Sequence, residues 1–151
     1  MNKFTQEKQA YLNEDPREKD YYPFVYELIH SKNFKSVLDI GCASGDFIKL
    51  LKIPNIHCYG IDISKDLIEK AKSQNTNKKK KFFCLDILNE EVKLTTPIDF
   101  VTCFGTAGCI ENIELLLTKI IELKPKLVMF NDLINENGLD IICGYRRHIN
   151  D

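Results

Sequence analysis

A short turn rich in small residues constrains the fold of this chain more than any other sequence feature. The residues Asp39-Ile40-Gly41-Cys42-Ala43-Ser44-Gly45 follow an apolar run typical of a buried strand and precede an amphipathic segment typical of a helix. Small residues in such a turn let a ligand approach the backbone closely. We therefore predict a strand, a turn and a helix that together bind a ligand, although a plain connection can also contain two glycines.

The alternation of strands and helices continues along the chain. Strands are predicted at 36–40, 57–62, 81–86, 98–104 and 127–131, helices at 23–30, 47–51, 64–71 and 113–123, and a further strand or helix at 140–147. Such alternation needs crossover connections, which give a mainly parallel sheet with helices on both faces. We predict a Rossmann-like α/β fold, a three-layer α/β/α sandwich. A chain of 151 residues fits one compact domain, with 1–35 as a helical lead-in and 36–151 as the core.

The spacing within the turn bears on the class of ligand. A dinucleotide-binding turn has the spacing G-x-G-x-x-G, whereas Gly41, Ala43 and Gly45 are two residues apart. Asp39 precedes the turn, where its negative charge would repel a pyrophosphate and attract an ammonium group. The pattern favours a cationic amino-acid cofactor, and a nicotinamide-dependent dehydrogenase is the weaker hypothesis.

These residues resemble the first motif of the class I S-adenosylmethionine-dependent methyltransferases of the Rossmann-like superfamily. That motif has the form [D/E]-x-G-x-G-x-G, and alanine is a common substitute at its middle glycine. The resemblance implies that S-adenosylmethionine is the cofactor and S-adenosylhomocysteine the product. It implies that Asp39 lies close to the cofactor's amino group, that Gly41 and Gly45 line its methionine part, and that Cys42 and Ala43 belong to the same binding turn.

Two further acidic positions extend the resemblance. Asp62, in Tyr59-Gly60-Ile61-Asp62-Ile63-Ser64, resembles the family's ribose-binding acid, and a carboxylate there can accept hydrogen bonds from both ribose hydroxyls. Asp86, in Cys84-Leu85-Asp86-Ile87, resembles the residue that accepts a hydrogen bond from the adenine amino group. Ile63 and Ile87 are expected as apolar neighbours of the adenine. Alone, Asp62 would more simply be a surface aspartate at a strand end or helix start.

The loop after the fourth predicted strand is expected to face the transferred methyl group. In open α/β sheets the ligands lie beyond the carboxyl ends of the strands. By the resemblance, Phe104, Gly105 and Thr106 are candidates for contact with the sulfonium region and the acceptor, although a flexible glycine turn is the competing explanation. Asn131, Asp132 and His148 are candidate acceptor-side groups, and no catalytic residue is identified by the sequence.

Charge and cysteine usage limit the partners. Because 21 basic residues balance 22 acidic ones, nucleic acid and anionic membranes are disfavoured as partners. The lysine run 78–81 is interpreted as a solvated loop before an inner strand.

Cysteines at 42, 58, 84 and 103 lie in or beside apolar stretches and form no C-x-x-C pair, so we expect reduced core thiols, no metal site and a cytoplasmic protein. No apolar run of signal-peptide or membrane-span length is present.

The function that these observations favour is methyl transfer to a small-molecule acceptor. Transfer from a positive sulfur can rely on proximity and orientation, so a catalytic base is optional. The family core normally has seven strands and closes with an antiparallel hairpin, and here the final hairpin strands are expected to be incomplete. A domain that only binds the cofactor, or a truncated methyltransferase, is therefore the alternative. An exposed sheet edge would favour a homodimer.

Overall fold

The computed structural model describes residues 8–9, 11–12, 18–110, 112–133 and 140–145, and of residues 132, 133 and 140–145 it describes the backbone. The helices are α1 (Tyr22–Ser31), α2 (Asp46–Leu50), α3 (Lys65–Ser73) and α4 (Ile113–Glu122). The strands are β1 (Ser36–Ile40), β2 (His57–Asp62), β3 (Lys80–Cys84), β4 (Phe100–Phe104), β5 (Leu127–Leu133) and β6 (Asp140–Tyr145).

The strands form one sheet in the order β3-β2-β1-β4-β5-β6. Strands β1 to β5 pair in parallel, and β6 pairs antiparallel to β5. The chain moves outward from β1 to β3 and then returns to add β4 on the other side of β1. This reversal is the topological switch point at which ligands of open α/β sheets bind. The predicted α/β class is confirmed, and the segment predicted as strand or helix after residue 139 is a strand over 140–145.

The two faces of the sheet carry separate hydrophobic clusters, because successive strand residues point to opposite faces. Val37 and Phe100 lie in the cluster that is covered by α1, α2 and α3, while Leu38 and Val101 lie in the cluster that is covered by α4. The helices therefore occupy both faces, as a three-layer sandwich requires.

Each covering helix buries one stripe of its surface. In α1, Pro23 stands in the first turn, where its missing N–H has no partner to lose, and the buried Val25 and Ile29 are one turn apart. In α4, the side chain of Asn112 accepts a hydrogen bond from the N–H of Leu115, and Leu116 and Ile120 are buried. Burial of each such aliphatic side chain stabilises the fold by about 1.5–3 kcal/mol.

The position of β3 differs from the prediction. The sequence interpretation placed it inside the sheet, but it is an edge strand that pairs with β2 alone among the described strands. The sequence could not show this, because an edge strand that is covered by a helix on one face can be as apolar as an inner one. The strand also begins at Lys80, so the predicted lysine loop is shorter by two residues.

Lys80 is a structural residue and not part of a solvated loop. Its Nζ atom donates hydrogen bonds to the carbonyl oxygens of Ile48, Lys49 and Leu51, at 2.6, 3.1 and 3.1 Å. These carbonyls belong to the end of α2, where the last helical turn leaves acceptors without intrahelical partners. Burial lowers the pKa of the Lys80 ammonium. The lysine thus caps a short helix that follows the turn at residues 41–45.

The prediction of core thiols is correct for three of the four cysteines. Cys42, Cys58 and Cys103 are buried and form no disulfide bond, and burial raises the pKa of Cys58 to about 12. Cys84 is exposed at the carboxyl end of the edge strand β3. Within the described ranges, no helix has the length and apolar character that crossing a bilayer requires.

We expect Lys80→Ala to lower the free energy of unfolding by about 1–2 kcal/mol, because the carbonyls at the end of α2 lose a charged donor. Urea denaturation measures the effect. Lys81→Ala is the matched control, since Lys81 is the neighbouring residue and is exposed. Equal stability of the two variants would contradict the capping role.

Candidate functional site

A cleft opens at the carboxyl ends of β1 and β4, at the switch point of the sheet. It encloses about 350 Å³, part of which is open to solvent. The predicted site residues that line it are Asp39, Gly41, Cys42, Ala43 and Phe104. The structure therefore brings the first motif and the carboxyl end of β4 to one cleft, although they are some sixty residues apart in sequence.

Asp39 is a buried carboxylate within this cleft. The parallel register of β1 and β4 pairs it with Thr102, whose Oγ1 donates a hydrogen bond to Asp39 Oδ1 at 2.8 Å. Burial raises the pKa of Asp39 to about 7; the Thr102 hydrogen bond opposes this shift, and the negative charge of Asp62 adds to it. A carboxyl group of this kind gains its negative charge readily when a cation is placed beside it.

The turn between β1 and α2 has a fixed shape. Gly41, Ala43 and Gly45 have φ values of 73°, 48° and 76°, a left-handed conformation that is unusual for alanine. The N–H of Ala43 donates to Asp62 Oδ2 at 2.9 Å, which ties the turn to the end of β2. Asp62 Oδ1 also accepts from the N–H of Ser64 at 2.8 Å. Carboxylate oxygens have two lone pairs each, so Asp62 retains the capacity to accept further hydrogen bonds.

Two glycines of the turn are required by contacts within the protein. A Cβ atom on Gly41 would lie 1.9 Å from Thr106 Oγ1, and one on Gly45 would lie 2.6 Å from the ring of Phe82. The sequence interpretation explained these glycines by the approach of a ligand, and the structure adds close packing as a second reason. Gly105, with φ of 69°, has open space around its Cα, so its backbone conformation alone favours glycine there.

The residues predicted to contact adenine lie after β2 and β3. The N–H of Leu85 donates to the carbonyl oxygen of Asp62 at 3.0 Å, so the two strand ends are adjacent. Asp86 lies just beyond β3 and accepts hydrogen bonds from the side chain of Asn89 and the N–H of Leu88, which hold its pKa below the ordinary value. These bonds form a local turn around Asp86.

The two isoleucines predicted beside the adenine differ in exposure. Ile63 is 66% exposed, whereas Ile87 is 6% exposed and belongs to the cluster under α4. Ile63 therefore offers an open apolar surface next to Asp62. Ile87 contributes mainly to the core.

The predicted acceptor-side groups are only partly described. Asn131 is half-buried in β5, and its carbonyl oxygen accepts from the N–H of Gly105 at 2.6 Å, which joins the loop after β4 to the next strand. The side chain of Asp132 and the whole of His148 lie outside the described residues.

Sequence reasoning missed Thr102, which hydrogen-bonds to Asp39, and several residues that line the cleft. Thr102 was detectable as a lone polar residue in an apolar strand, since such a residue needs a buried partner. The other missed residues come from the N-terminal segment and α2, and they are Tyr11, Lys19, Tyr21, Tyr22, Asp46 and Phe47. The tyrosines lie in the segment that the sequence predicts as a helical lead-in, and no local pattern distinguishes Lys19 from other lysines.

Aromatic rings form one wall of the cleft. The Phe104 ring packs edge-on against Tyr21, with centroids 5.1 Å apart, and against Phe47, with centroids 5.4 Å apart. Tyr22 also packs edge-on against Phe47. In the described part of the chain, no group of three histidine, cysteine, aspartate or glutamate residues is placed to hold a metal ion.

Comparison with known families agrees with this geometry. The profile of the family described as a methyltransferase domain matches residues 9–144. The chain belongs to this family. The matched range includes the glycine turn, the aspartates at positions 39, 62 and 86, and the loop after β4.

Individual relatives are methyltransferases by name. A probable cobalt-precorrin-6B C(15)-methyltransferase of Methanococcus maripaludis is 35% identical over 109 residues, which is 72% of this chain and 59% of the relative. A malonyl-[acyl-carrier protein] O-methyltransferase of Acetivibrio thermocellus is 30% identical over 62% of this chain and 33% of the relative. The chain thus spans less than two thirds of the length of these relatives.

The solved structure of the plantazolicin methyltransferase BpumL in complex with a pentazolic analogue and S-adenosylhomocysteine has a similar fold. Its TM-score is 0.61 at 26% identity, and the similarity covers 87% of this chain and 48% of that one. The Rossmann-like arrangement of the sheet is therefore shared with a solved methyltransferase structure.

We expect the free energy of unfolding to decrease as the pH rises, because Asp39 binds a proton more tightly in the folded state. Its pKa of about 7 in the folded chain exceeds the ordinary value of 3.8, so between these values the folded state keeps a proton that the unfolded state releases. Relative to Asp39→Asn, the wild type should lose on the order of 2 kcal/mol of stability between pH 5 and pH 8. Urea unfolding at both pH values tests this, and parallel changes in the two proteins would contradict it.

Proposed function

We propose that this chain binds S-adenosylmethionine in the switch-point cleft and transfers its methyl group to a small-molecule acceptor. The observation that carries the proposal is the buried carboxylate of Asp39 beside the left-handed turn, in a cleft whose position is typical of ligand sites in this sheet topology. The complex of BpumL with S-adenosylhomocysteine supports the choice of cofactor.

The predicted site residues, of which Asp39 lines the cleft, fit the chemical groups of this cofactor. Asp39 offers a negative charge to the ammonium group, and Asp62 offers acceptors to the ribose hydroxyls. Asp86 offers an acceptor to the adenine amino group, and Ile63 offers an exposed apolar surface to the adenine ring. When bound, S-adenosylmethionine supplies a methyl group that is activated by a positively charged sulfur.

The turn at residues 41–45 and the loop at residues 104–106 serve to position the ligand. Gly41, Cys42 and Ala43 line the cleft through a backbone that hydrogen bonds already hold in place. A preformed site of this kind loses little conformational freedom on binding. Orientation of two reactants can account for much of the rate of a methyl transfer, so a general base is optional for this step.

An acceptor of small size is the proposal most consistent with the cleft. The aromatic wall of Tyr21, Phe47 and Phe104 provides apolar contact, and the neutral overall charge gives no long-range attraction for nucleic acid. Binding of the cofactor and turnover are separate tests, because a domain that only binds it would pass the first and fail the second.

The chain also fits a cytoplasmic location, where its buried thiols stay reduced, and association as a homodimer.

We expect S-adenosylhomocysteine to bind the wild type about tenfold more tightly at pH 8 than at pH 6. Its ammonium group needs the ionised form of Asp39, whose pKa is about 7. Isothermal titration calorimetry measures both affinities. Asp39→Asn should bind weakly with no such pH dependence, and Glu69→Gln, which changes an exposed acid of α3, should behave like the wild type.

The result that would refute this cofactor is a folded wild-type chain that does not bind S-adenosylhomocysteine, or that binds a nicotinamide dinucleotide with equal affinity. Circular dichroism and cooperative urea unfolding establish that each protein is folded. Incubation with S-adenosylmethionine and a panel of small acceptors then tests turnover by release of S-adenosylhomocysteine.

We expect Phe104→Leu to weaken the binding of S-adenosylmethionine more than that of S-adenosylhomocysteine. An aromatic ring attracts a neighbouring cation by about 0.5–2 kcal/mol, and only the first ligand carries a positive sulfur. The ratio of the two affinities should therefore change about two- to thirtyfold, whereas leucine keeps most of the apolar contact. An unchanged ratio would place the sulfonium away from Phe104.

A further inference from the structure

The cleft contains one basic residue whose role neither the sequence motifs nor the family match assigns. Lys19 lies just before α1 and lines the cleft together with Asp39 and Asp46. Among the described residues of the lining, it alone carries a positive charge. It is half-exposed, whereas both aspartates are buried.

The backbone at Lys19 is held close to the aromatic wall. Its carbonyl oxygen accepts a hydrogen bond from the N–H of Tyr22 at 2.9 Å, so residues 19–22 form a tight turn at the start of α1. Tyr21 packs against Phe104 and Tyr22 packs against Phe47, with ring centroids 5.1 and 5.2 Å apart. These contacts place Lys19 on the side of the cleft that the aromatic wall forms.

An α-amino acid ligand brings two opposite charges into this cleft on one carbon atom. Asp39 can pair with the ammonium group, but a carboxylate placed beside Asp39 and Asp46 would be repelled by both. A positive charge on the same wall offsets that repulsion. A lysine is suited to this, because its ammonium is a point charge with three donors on a flexible stem.

We propose that Lys19 binds the α-carboxylate of the methionine part of S-adenosylmethionine, while Asp39 pairs with its ammonium group. This inference rests on the proposed function and extends it to a residue outside the glycine turn. Lys19 and Asp39 then act together as a zwitterion clamp that selects ligands with an intact amino-acid end. The N-terminal segment thereby becomes part of the cofactor site.

The test compares two ligands that differ in the amino-acid end. S-Adenosylhomocysteine has that end, whereas 5′-methylthioadenosine keeps the adenosine and the thioether and lacks it. In calorimetric titrations of the full chain at pH 8, Lys19→Met should lose about tenfold in affinity for S-adenosylhomocysteine. Its affinity for 5′-methylthioadenosine should be unchanged.

Two control variants make the comparison specific. Lys19→Arg keeps the charge and should retain most of the affinity for S-adenosylhomocysteine. Lys52→Met removes an exposed lysine outside the cleft lining and should match the wild type with both ligands.

The outcomes separate this inference from the function on which it rests. A wild type that binds neither ligand overturns the proposed function, and the role of Lys19 with it. A wild type that binds S-adenosylhomocysteine while Lys19→Met binds it equally well overturns the Lys19 assignment alone. Equal losses for both ligands also overturn it, because a lysine that merely holds the N-terminal segment in place would not distinguish them.

Discussion

The parallel pairing of β1 with β2 on one side and β4 on the other creates the cleft, and the other features of the site depend on it. The register places Asp39 beside Thr102 on the face that also carries Val37 and Phe100. A shift of one residue would turn Asp39 to the opposite face of the sheet. The rise of its pKa from 3.8 to about 7 corresponds to a cost on the order of 4 kcal/mol for the charged form, which a bound cation would offset.

The turn after β1 is organised before any ligand arrives. Ala43 adopts a left-handed conformation that costs a non-glycine residue about 1–2 kcal/mol. The hydrogen bond from its N–H to Asp62 stabilises that conformation, and close packing between Gly41 and Thr106 fixes the next part of the wall. A ligand therefore meets a backbone whose shape is already set, which favours both affinity and orientation.

The N-terminal wall of the cleft is held by contacts of two different strengths. Helix α1 buries Val25 and Ile29 in the core, so the residues near its start are firmly placed. Lys8, Tyr11 and Leu12 are attached to α3 by polar contacts, among them an exposed ion pair between Lys8 and Asp66 at 2.7 Å. Exposed ion pairs contribute at most about 1 kcal/mol, so the Lys8–Asp66 pair adds little to this attachment.

The sequence by itself determined the class of sheet, the position of the glycine turn and the aspartates at the ends of β1 and β2. These features depend on neighbours along the chain, namely the period of apolar residues and the small residues that a strand-to-helix turn needs. Only the tertiary structure decided that β3 is an edge strand, that Lys80 caps α2, that Thr102 bonds to Asp39 and that Lys19 stands at the cleft. Each of these features depends on contacts between segments that crossover connections bring together. Local periodicity does not indicate which lysine or threonine will contact which partner.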